Sequence, residues 1–375
     1  MVNQERLVNH FLQLVQIDSE TRFERAICDE LKKQFAELGL EVMEDDTTSV
    51  TGHEAGNLIV NWPAVAGHEQ AKRLFFTSHM DTVTPGKGVK PIVDEDGLIH
   101  SDGTTILGSD DKAGLAAIFE AIRVVQEQNL PHGQLQFVIT VGEESGLNGA
   151  RAMDGSLLQA DFGYALDSNG EVGAIAVAAP TQAKITMEIL GKSAHAGVNP
   201  EDGVSAIQVA SKGISRMKLG RIDHETTANI GRFEGGGPTN VVTDYVKLDA
   251  EARSIVQEKV EAQLVSMKEA LESAASEFGA TAKFDSKIMY PAFNFGEKDE
   301  VVQFASRAIE SLGLTPRLFH SGGGSDANIF NGHGVPTVNL AVGYMDIHTT
   351  KERIHTNDLV KTSELVLAII NEATK

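Results

Sequence analysis

Short apolar runs alternate with amphipathic segments along the first half of this chain, and the alternation is interrupted once before it resumes. The runs at 73–78, 135–141 and 162–166 are too short for helices and are bounded by glycine or polar clusters. Between the first two lies "DKAGLAAIFEAIRVVQEQ", which has helical spacing. After residue 292 the pattern returns, with a buried strand predicted at 335–342 and a closing helix. The alternation predicts an α/β fold in which helices cover a mostly parallel sheet.

The interruption, residues 180–292, has a different order of elements. Strand, helix, two strands, a long helix and a last strand follow one another, which is the β-α-β-β-α-β order of a ferredoxin-like α+β unit. A chain of 375 residues is too long for one ordinary core. We therefore predict a discontinuous larger domain, residues 1–179 and 293–375, with a small domain inserted at 180–292.

Charge and cysteine content exclude several function classes. Acidic residues outnumber basic ones 53 to 32, and the net charge of −21 repels phosphate backbones and anionic lipid. The single cysteine, Cys28, allows no intramolecular disulfide and no thiolate metal cage. It falls on a predicted helix, with Thr21 and Glu24 as its capping box. No stretch resembles a signal peptide or a membrane span, so we expect a cytoplasmic protein with no nucleic-acid or membrane partner.

Side chains that can bind metals follow five apolar runs of the outer segments, each of which is predicted to be a strand. They are His79 and Asp81 after "RLFFTS", Asp110 and Asp111 after "TTILGS", Glu143 and Glu144 after "LQFVITVG", Asp167 after "FGYAL", and His348 after "VNLAVGYMDI". In open α/β sheets, ligands bind outside the carboxyl ends of the strands. We therefore expect these side chains to converge although they are far apart in the chain.

Each of these residues alone has a purely structural explanation. A histidine at a strand end can be a satisfied structural residue, Asp110 can cap the following helix, and Glu143 with Glu144 can form a solvated turn. Together, however, four or five close carboxylates need positive charge to stay ionised, and Lys112 is the only basic residue beside the motifs. A pair of divalent metals would supply that charge. Imidazole with oxygen ligands suits zinc, cobalt or manganese better than magnesium or calcium.

Five motifs make the sequence recognisable: "SHMDT", "GSDDKAG", "VGEESG", "ALD" and "GKSAHAGVNPEDG". Together, in this order, they resemble the metallopeptidase family that includes peptidase T, carboxypeptidase G and aminoacylase, and most closely its peptidase T branch of aminotripeptidases. The likeness covers essentially the whole chain. It implies a zinc-peptidase-like catalytic domain at 1–179 and 293–375 and a lid or dimerisation domain at 180–292. It also implies a homodimer and two divalent metal ions per chain, zinc first, with cobalt or manganese as alternatives.

The resemblance also implies which residues hold the two metals. Asp110 resembles the carboxylate that bridges them. His79 and Asp167 would complete one metal site, and Glu144 and His348 would complete the other.

Three further residues acquire catalytic roles from the same resemblance. Asp81 resembles the acid that orients His79, and the two-residue step places both on the same side of the extended strand tip. Glu143 resembles the general base that takes a proton from a metal-bridging water and returns it to the leaving amine. His195 resembles the histidine that donates to the oxyanion, in dimeric members from the neighbouring subunit. On its own it is a loop histidine near a turn.

Candidate substrate contacts are Asn240 and Arg253, which resemble groups of the inserted domain that hold substrate, and Gly323 and Gly324 of "HSGGGSDANIF". An alternative for Arg253 is a salt bridge on a strand face, and for the glycines a flexible turn. Peptidase T carries an arginine immediately before "GG[ST]D", where this chain has Gly322. That departure removes a candidate anchor for the C-terminus of a tripeptide.

The function predicted from these motifs is hydrolysis of the N-terminal peptide bond of short peptides. A carboxypeptidase, a dipeptidase and an N-acyl-amino-acid amidohydrolase of the same family are the alternatives, because they share the metals and differ in the pocket. A phosphate-binding protein is disfavoured, since "GSDDKAG" lacks the P-loop spacing. A serine hydrolase is disfavoured because no G-x-S-x-G elbow occurs. His53, His320, His333 and His355 have no partner by spacing.

Overall fold

The computed structural model describes residues 1–375. Its α-helices are α1 (Gln4–Val15), α2 (Arg25–Glu37), α3 (Thr48–Thr51), α4 (Ser109–Gln128), α5 (Asn148–Ala152), α6 (Ala206–Arg216), α7 (Gln257–Phe278), α8 (Glu300–Ser311), α9 (Asp326–Gly332) and α10 (Thr356–Glu372). None of these helices combines the length and the apolar composition that crossing a membrane requires.

The strands are β1 (Val42–Glu44), β2 (Leu58–Trp62), β3 (Leu74–His79), β4 (Ile92–Val93), β5 (Leu98–His100), β6 (Leu135–Thr140), β7 (Phe162–Ser168), β8 (Ala174–Ala179), β9 (Thr181–Leu190), β10 (Gly220–Arg221), β11 (Thr226–Gly235), β12 (Tyr245–Ser254), β13 (Thr281–Tyr290), β14 (Phe293–Asn294), β15 (Arg317–His320), β16 (Thr337–Ala341) and β17 (Arg353–His355). The chain divides into two compact units. Unit 1 comprises residues 1–178, 294–321 and 325–375, and unit 2 comprises residues 179–293 and 322–324.

Unit 1 is built on a nine-stranded sheet with the order β1-β2-β6-β3-β7-β16-β8-β14, in which β15 pairs with β8. The central strands β6, β3, β7 and β16 are parallel neighbours, so their carboxyl ends meet at one edge. Strands β3 and β6 are buried along their whole length, as expected for parallel strands under helices. This architecture confirms the predicted α/β class with a mostly parallel, mixed sheet.

Helix α4 packs against β3 and β7 and is covered in turn by α1 and α10. Its small side chains, such as Ala113 and Ala117, are fully buried, which lets the helix approach the sheet closely. Aromatic rings fill the wider spaces, with the Phe35 and Phe119 ring centroids 4.4 Å apart. Each large apolar side chain buried here contributes about 1.5–3 kcal/mol relative to an exposed one. The core therefore fixes the strands whose ends carry the candidate ligands.

Unit 2 contains a five-stranded antiparallel sheet with the order β10-β11-β12-β9-β13. Strand β12 alternates buried positions with ones that are at least partly exposed, and Val246 and Leu248 are fully buried in a core to which α6 and α7 contribute. The order β13-β9-β12-β11 of the four long strands is that of a ferredoxin-like unit. The fold class is thus confirmed for this unit too. The domain bounds given above and the lid or dimerisation role of residues 180–292 stay predictions.

The segment "TTILGS" was expected to be a strand, and this expectation is wrong. Residues 101–108 form no strand. Ile106 and Leu107 are buried, but the N–H groups of Leu107 and Gly108 donate to the carboxylate of Glu352 instead of to a strand. Burial without a strand partner gives the same apolar pattern as a strand. Asp110 accordingly lies in the first turn of α4, without helical backbone angles.

Two other local expectations also need correction. His348 does not directly follow a strand, because β16 ends at Ala341 and His348 lies in a loop that Met345 and Arg353 close by mutual backbone hydrogen bonds. The predicted capping box of Thr21 and Glu24 is absent, because α2 begins at Arg25 with Glu24 itself as N-cap, and the Thr21 hydroxyl donates to Ser145 Oγ at 3.0 Å.

Candidate metal centre

Two neighbouring strands and the start of α4 bring the first group of candidate ligands together. His79 ends β3, and its Nε2 lies 3.1 Å from Asp110 Oδ1 and 3.8 Å from Asp167 Oδ1. Asp167 lies on β7, the parallel neighbour of β3, while Asp110 comes from the first turn of α4. The side chains of His79 and Asp110 are almost completely buried. The sheet therefore presents one imidazole to two carboxylates in an enclosed space.

A second group forms on the other side of Asp110. His348 Nε2 lies 3.1 Å from Asp110 Oδ2 and 3.0 Å from Glu144 Oε1. The two oxygens of Asp110 thus face two different imidazoles, which is the arrangement of a carboxylate that bridges two cations. We call His79, Asp110, Glu144, Asp167 and His348 the acid–histidine cluster.

Asp81 orients several residues of the site through hydrogen bonds. Its backbone oxygen lies 2.9 Å from His79 Nδ1, and its carboxylate lies 3.4 Å from the same nitrogen. A proton on Nδ1 that is donated to Asp81 leaves Nε2 with a free lone pair, as metal ligation requires. The same carboxylate accepts the backbone N–H groups of Glu143 at 3.0 Å and Glu144 at 3.3 Å. Asp81 therefore positions one histidine and two glutamates at once.

The cluster is short of positive charge. Burial raises the pKa of Glu144 to about 7, and burial with the neighbouring Asp167 carboxylate raises the pKa of Glu143 well above its usual range. Hydrogen bonds to Asp110 and Glu144 raise the pKa of His348 to about 10. Burial alone would raise the pKa of Asp110, but hydrogen bonds from His348 and His79 lower it. The acids thus compete for two imidazoles.

The donor set fits divalent transition metals. One ligand atom from each of His79, Asp110 and Glu144 lies within 4.8 Å of the others, and the same holds for His79, Asp111 and Asp167. Nitrogen and oxygen donors without sulfur are a set that zinc accepts. Cys28 does not contribute, since it is buried in α2 and burial raises the pKa of its thiol to about 12. Cations at this point would relieve the repulsion among the carboxylates.

Several contributors were not identified from the sequence. Tyr344 Oη donates to Asp167 Oδ1 at 3.0 Å, and Asn339 Oδ1 accepts the backbone N–H of Asp167 at 3.0 Å. Asp326 is buried, and its Oδ2 accepts a hydrogen bond from Thr140 Oγ1 at 2.5 Å. Asp326 directly follows the glycine-rich "SGGGS", and Asn339 and Tyr344 lie in the run "VNLAVGYMDI" that precedes His348.

Unit 2 brings His195 and Asn240 together on adjacent loops. The N–H of Ala196 donates to Asn240 O at 2.9 Å, and His195 forms an antiparallel bridge with Val241. The His195 side chain is exposed, and its Nδ1 accepts the N–H of Gly197 at 3.1 Å. In the neutral ring the proton therefore sits on Nε2, which leaves that nitrogen as a hydrogen-bond donor.

The other predicted substrate contacts of unit 2 form a second group. Arg253 donates to Glu251 through Nε at 2.9 Å and Nη2 at 3.2 Å, and through Nη1 to Gly322 O at 3.4 Å. The salt bridge considered for Arg253 is therefore present. A Cβ on Gly324 would lie 2.3 Å from the ring of Tyr290, so only glycine fits at that position. Gly323 lies in the same loop, between Gly322 and Gly324.

Two of the histidines without a partner by spacing have structural roles. His53 is buried, and its Nδ1 lies 2.6 Å from Glu24 Oε1. His355 is the N-cap of α10 and accepts the N–H of Asn357 through its side chain. In both cases the partner is set by tertiary or capping geometry that spacing does not reveal.

The chain is similar in sequence and structure to several known proteins. Residues 75–372 match the model of Peptidase family M20/M25/M40. The chain is 59% identical over 375 residues to the protein YqjE of Bacillus subtilis strain 168, with 100% of both chains covered. It is 61% identical to aminopeptidase PepT from Bacillus cereus ATCC 10987, whose crystal structure superposes with a TM-score of 0.95 over 100% of both chains. A tripeptidase from Staphylococcus aureus subsp. aureus Mu50 is 50% identical, with a TM-score of 0.96 over 100% of this chain and 99% of that one.

Proposed function

Because the chain belongs to peptidase family M20/M25/M40, we propose that it is a two-metal exopeptidase that releases the N-terminal residue of short peptides. The family resemblance predicted from its motifs is confirmed, and the chain is a peptidase T-like hydrolase. The observation that carries the proposal is the position of Asp110 between two imidazoles, with its two oxygens 3.1 Å from His79 Nε2 and 3.1 Å from His348 Nε2.

We assign His79, Asp110 and Asp167 to one metal and Asp110, Glu144 and His348 to the other. Zinc suits this set best, with cobalt and manganese as alternatives. When bound, the two cations would supply Lewis acidity, which polarises a peptide carbonyl and lowers the pKa of water.

Glu143 is the group that moves protons. Its carboxylate makes no hydrogen bond or ion pair, while its backbone N–H is held by Asp81. Burial and the Asp167 carboxylate raise its pKa, which suits a carboxylate that accepts a proton from the attacking water and returns it to the leaving amine. Glu144, the next residue, contacts His348 instead. The turn therefore separates a base from a ligand at adjacent positions.

His195 is the proposed donor to the developing oxyanion. Its exposed ring has Nδ1 occupied by the Gly197 N–H, so Nε2–H is available to a substrate oxygen. We further propose a homodimer formed through residues 180–292, with His195 donated to the partner subunit, as in dimeric members of the family. Asn240, Arg253, Gly323 and Gly324 are the proposed substrate contacts.

The substrate class follows from the relatives and from one local feature. The B. cereus relative is an aminopeptidase and the S. aureus relative is a tripeptidase, which supports short peptides with a free amino terminus. The charge of Arg253 is already balanced by Glu251, and Gly322 adds no charge of its own. A carboxypeptidase, a dipeptidase and an N-acyl-amino-acid amidohydrolase therefore remain the alternatives. A cytoplasmic location without nucleic-acid or membrane partners also stays a prediction.

A matched set of peptides tests this proposal. The zinc-loaded protein is assayed on a tripeptide, its N-acetylated form, its C-terminal amide and an N-acetyl amino acid, with Glu143→Gln as the inactive control. We expect release of the N-terminal residue from the tripeptide and no turnover of the acetylated compounds. Faster cleavage of the acetylated compounds would instead establish an amidohydrolase, and release of the C-terminal residue would establish a carboxypeptidase.

A further inference from the structure

Glu352 is a buried acid that makes four hydrogen bonds to the start of α4. The residue is almost completely buried, with 1% of its surface exposed. Oε2 accepts the N–H groups of Leu107 and Gly108, both at 2.9 Å. Oε1 accepts one hydrogen bond from the hydroxyl of Ser109 at 2.6 Å and another from the N–H of Asp110 at 3.0 Å. One carboxylate thus accepts the N–H groups of residues 107, 108 and 110, the backbone that leads to the proposed bridging ligand Asp110.

Glu352 itself belongs to the loop that carries His348, residues 345–353. Met345 and Arg353 close the loop, and Thr349 Oγ1 donates to Asp346 O within it at 2.7 Å. His348 lies inside the loop with a positive φ of 62°. Apart from His348 itself, Glu352 makes every hydrogen bond or ion pair between this loop and residues 107–110.

We propose that Glu352 is a positioning residue that holds the His348 loop against the backbone of Asp110 and thereby sets the geometry of the second metal site. The inference rests on the metal centre proposed above. Its effect is selective, because two of the three proposed ligands of the first metal site have a different support. His79 and Asp167 lie on β3 and β7, which pair directly, so their separation does not depend on the loop.

The selectivity separates this role from a general contribution to folding. A residue that only stabilised unit 1 would weaken both metal sites together when it was replaced. A residue that sets the distance between Asp110 and His348 would weaken the second site and leave the first largely intact. Partners that orient metal ligands typically change metal affinity by about 10- to 100-fold when they are mutated.

Glu352→Gln tests the proposal, because it keeps the size of the side chain but leaves only one acceptor oxygen. One pair of donors then faces an amide NH₂ group instead of an oxygen. The matched control is Glu372→Gln, a buried acid of α10 that pairs with Arg307 and Lys375. Metal-free wild type and both variants are titrated with Co²⁺ and followed by calorimetry and by the visible spectrum of the ion.

We expect two equivalents in the wild type and in Glu372→Gln. In Glu352→Gln, the first equivalent should bind within about threefold of wild type, while the second should weaken about 10- to 100-fold with an altered spectrum. Ser109→Ala removes one donor and keeps the carboxylate, so it should weaken the second equivalent in the same direction by a smaller factor. It decides the matter if Glu352→Gln does not fold.

Two outcomes would overturn the inference while the metal centre stands. They are unchanged binding of both equivalents in Glu352→Gln and Ser109→Ala, and equal weakening of both equivalents in these two variants. A wild-type protein that takes up no Co²⁺ would overturn the metal centre itself and this inference with it.

Discussion

The two units hold their candidate functional residues in contrasting ways. In unit 1 the acid–histidine cluster lies where buried parallel strands end, with His79 and Asp167 on the strands themselves, and its histidines lie 3.0–3.8 Å from carboxylate oxygens. In unit 2 His195 is exposed on a loop and Arg253 is paired with Glu251 on a strand. A site for a small multivalent cation needs donors fixed to within fractions of an ångström, which a packed sheet provides. Groups that meet a variable substrate are better placed on accessible loops.

Removal of the metals is expected to have the largest effect, and that effect should be confined to unit 1. Dialysis against a chelator should abolish activity. Loss of each tightly bound ion lowers the free energy of unfolding by about 4 kcal/mol, if the ion was present at 1,000 times its Kd. Hydrogen exchange should then accelerate at residues 107–111 and 142–144 and stay unchanged in β9 and β12. Equal acceleration in both units would contradict the division between them, and restored Zn²⁺ provides the control.

Glu143→Gln should come next. It removes the proton acceptor without removing a proposed ligand, so kcat should fall about 10²- to 10⁴-fold while two metals per chain remain. Steady-state kinetics with elemental analysis measures both quantities. Glu171→Gln is the matched control, since the Glu171 side chain of unit 1 is 78% exposed and should tolerate the change. A fully active Glu143→Gln protein would show that another group accepts the proton.

His195→Ala carries the comparison into unit 2. If Nε2–H stabilises the oxyanion, kcat should fall about 10²- to 10³-fold with little change in KM or metal content. His224→Ala is the control, because His224 is also in unit 2 and its side chain is 82% exposed. Unchanged kinetics of His195→Ala would show that His195 is not catalytic, and all remaining proposed catalytic groups would then lie in unit 1.

Arg253→Ala is expected to have the smallest effect. Glu251 already occupies Nε and Nη2, so a substrate carboxylate gains only the remaining donors of the guanidinium. KM for tripeptides with a free C-terminus should rise roughly 3- to 10-fold, and KM for their C-terminal amides should not change. Arg232→Ala, on the neighbouring strand β11, is the control. An equal rise for both peptide classes would argue against carboxylate recognition by Arg253.

Much of the fold was predictable from the sequence because its signals are local. The alternation of short buried strands with the α4 segment, and the β-α-β-β-α-β order of unit 2, both follow from periodicity within single elements. The error at the predicted strand before Asp110 arose because the backbone of a buried segment donates its hydrogen bonds to a distant side chain. The run at 104–109 looked like a strand because Ile106 and Leu107 are buried, yet Glu352 satisfies its backbone.

Residue types and their order along the chain already determined which side chains can bind metal and accept protons, because carboxylate and imidazole chemistry belongs to the amino acids themselves. Only the tertiary structure decided which groups these side chains contact. Asp110 faces two imidazoles, and Asp81 accepts hydrogen bonds from two successive peptide groups. Glu352 is hydrogen-bonded to Asp110, 242 residues away in the chain. The reason is that a hydrogen bond depends on distance and direction between two groups. Both are set by the packing of the whole unit rather than by the neighbours of either group in the chain.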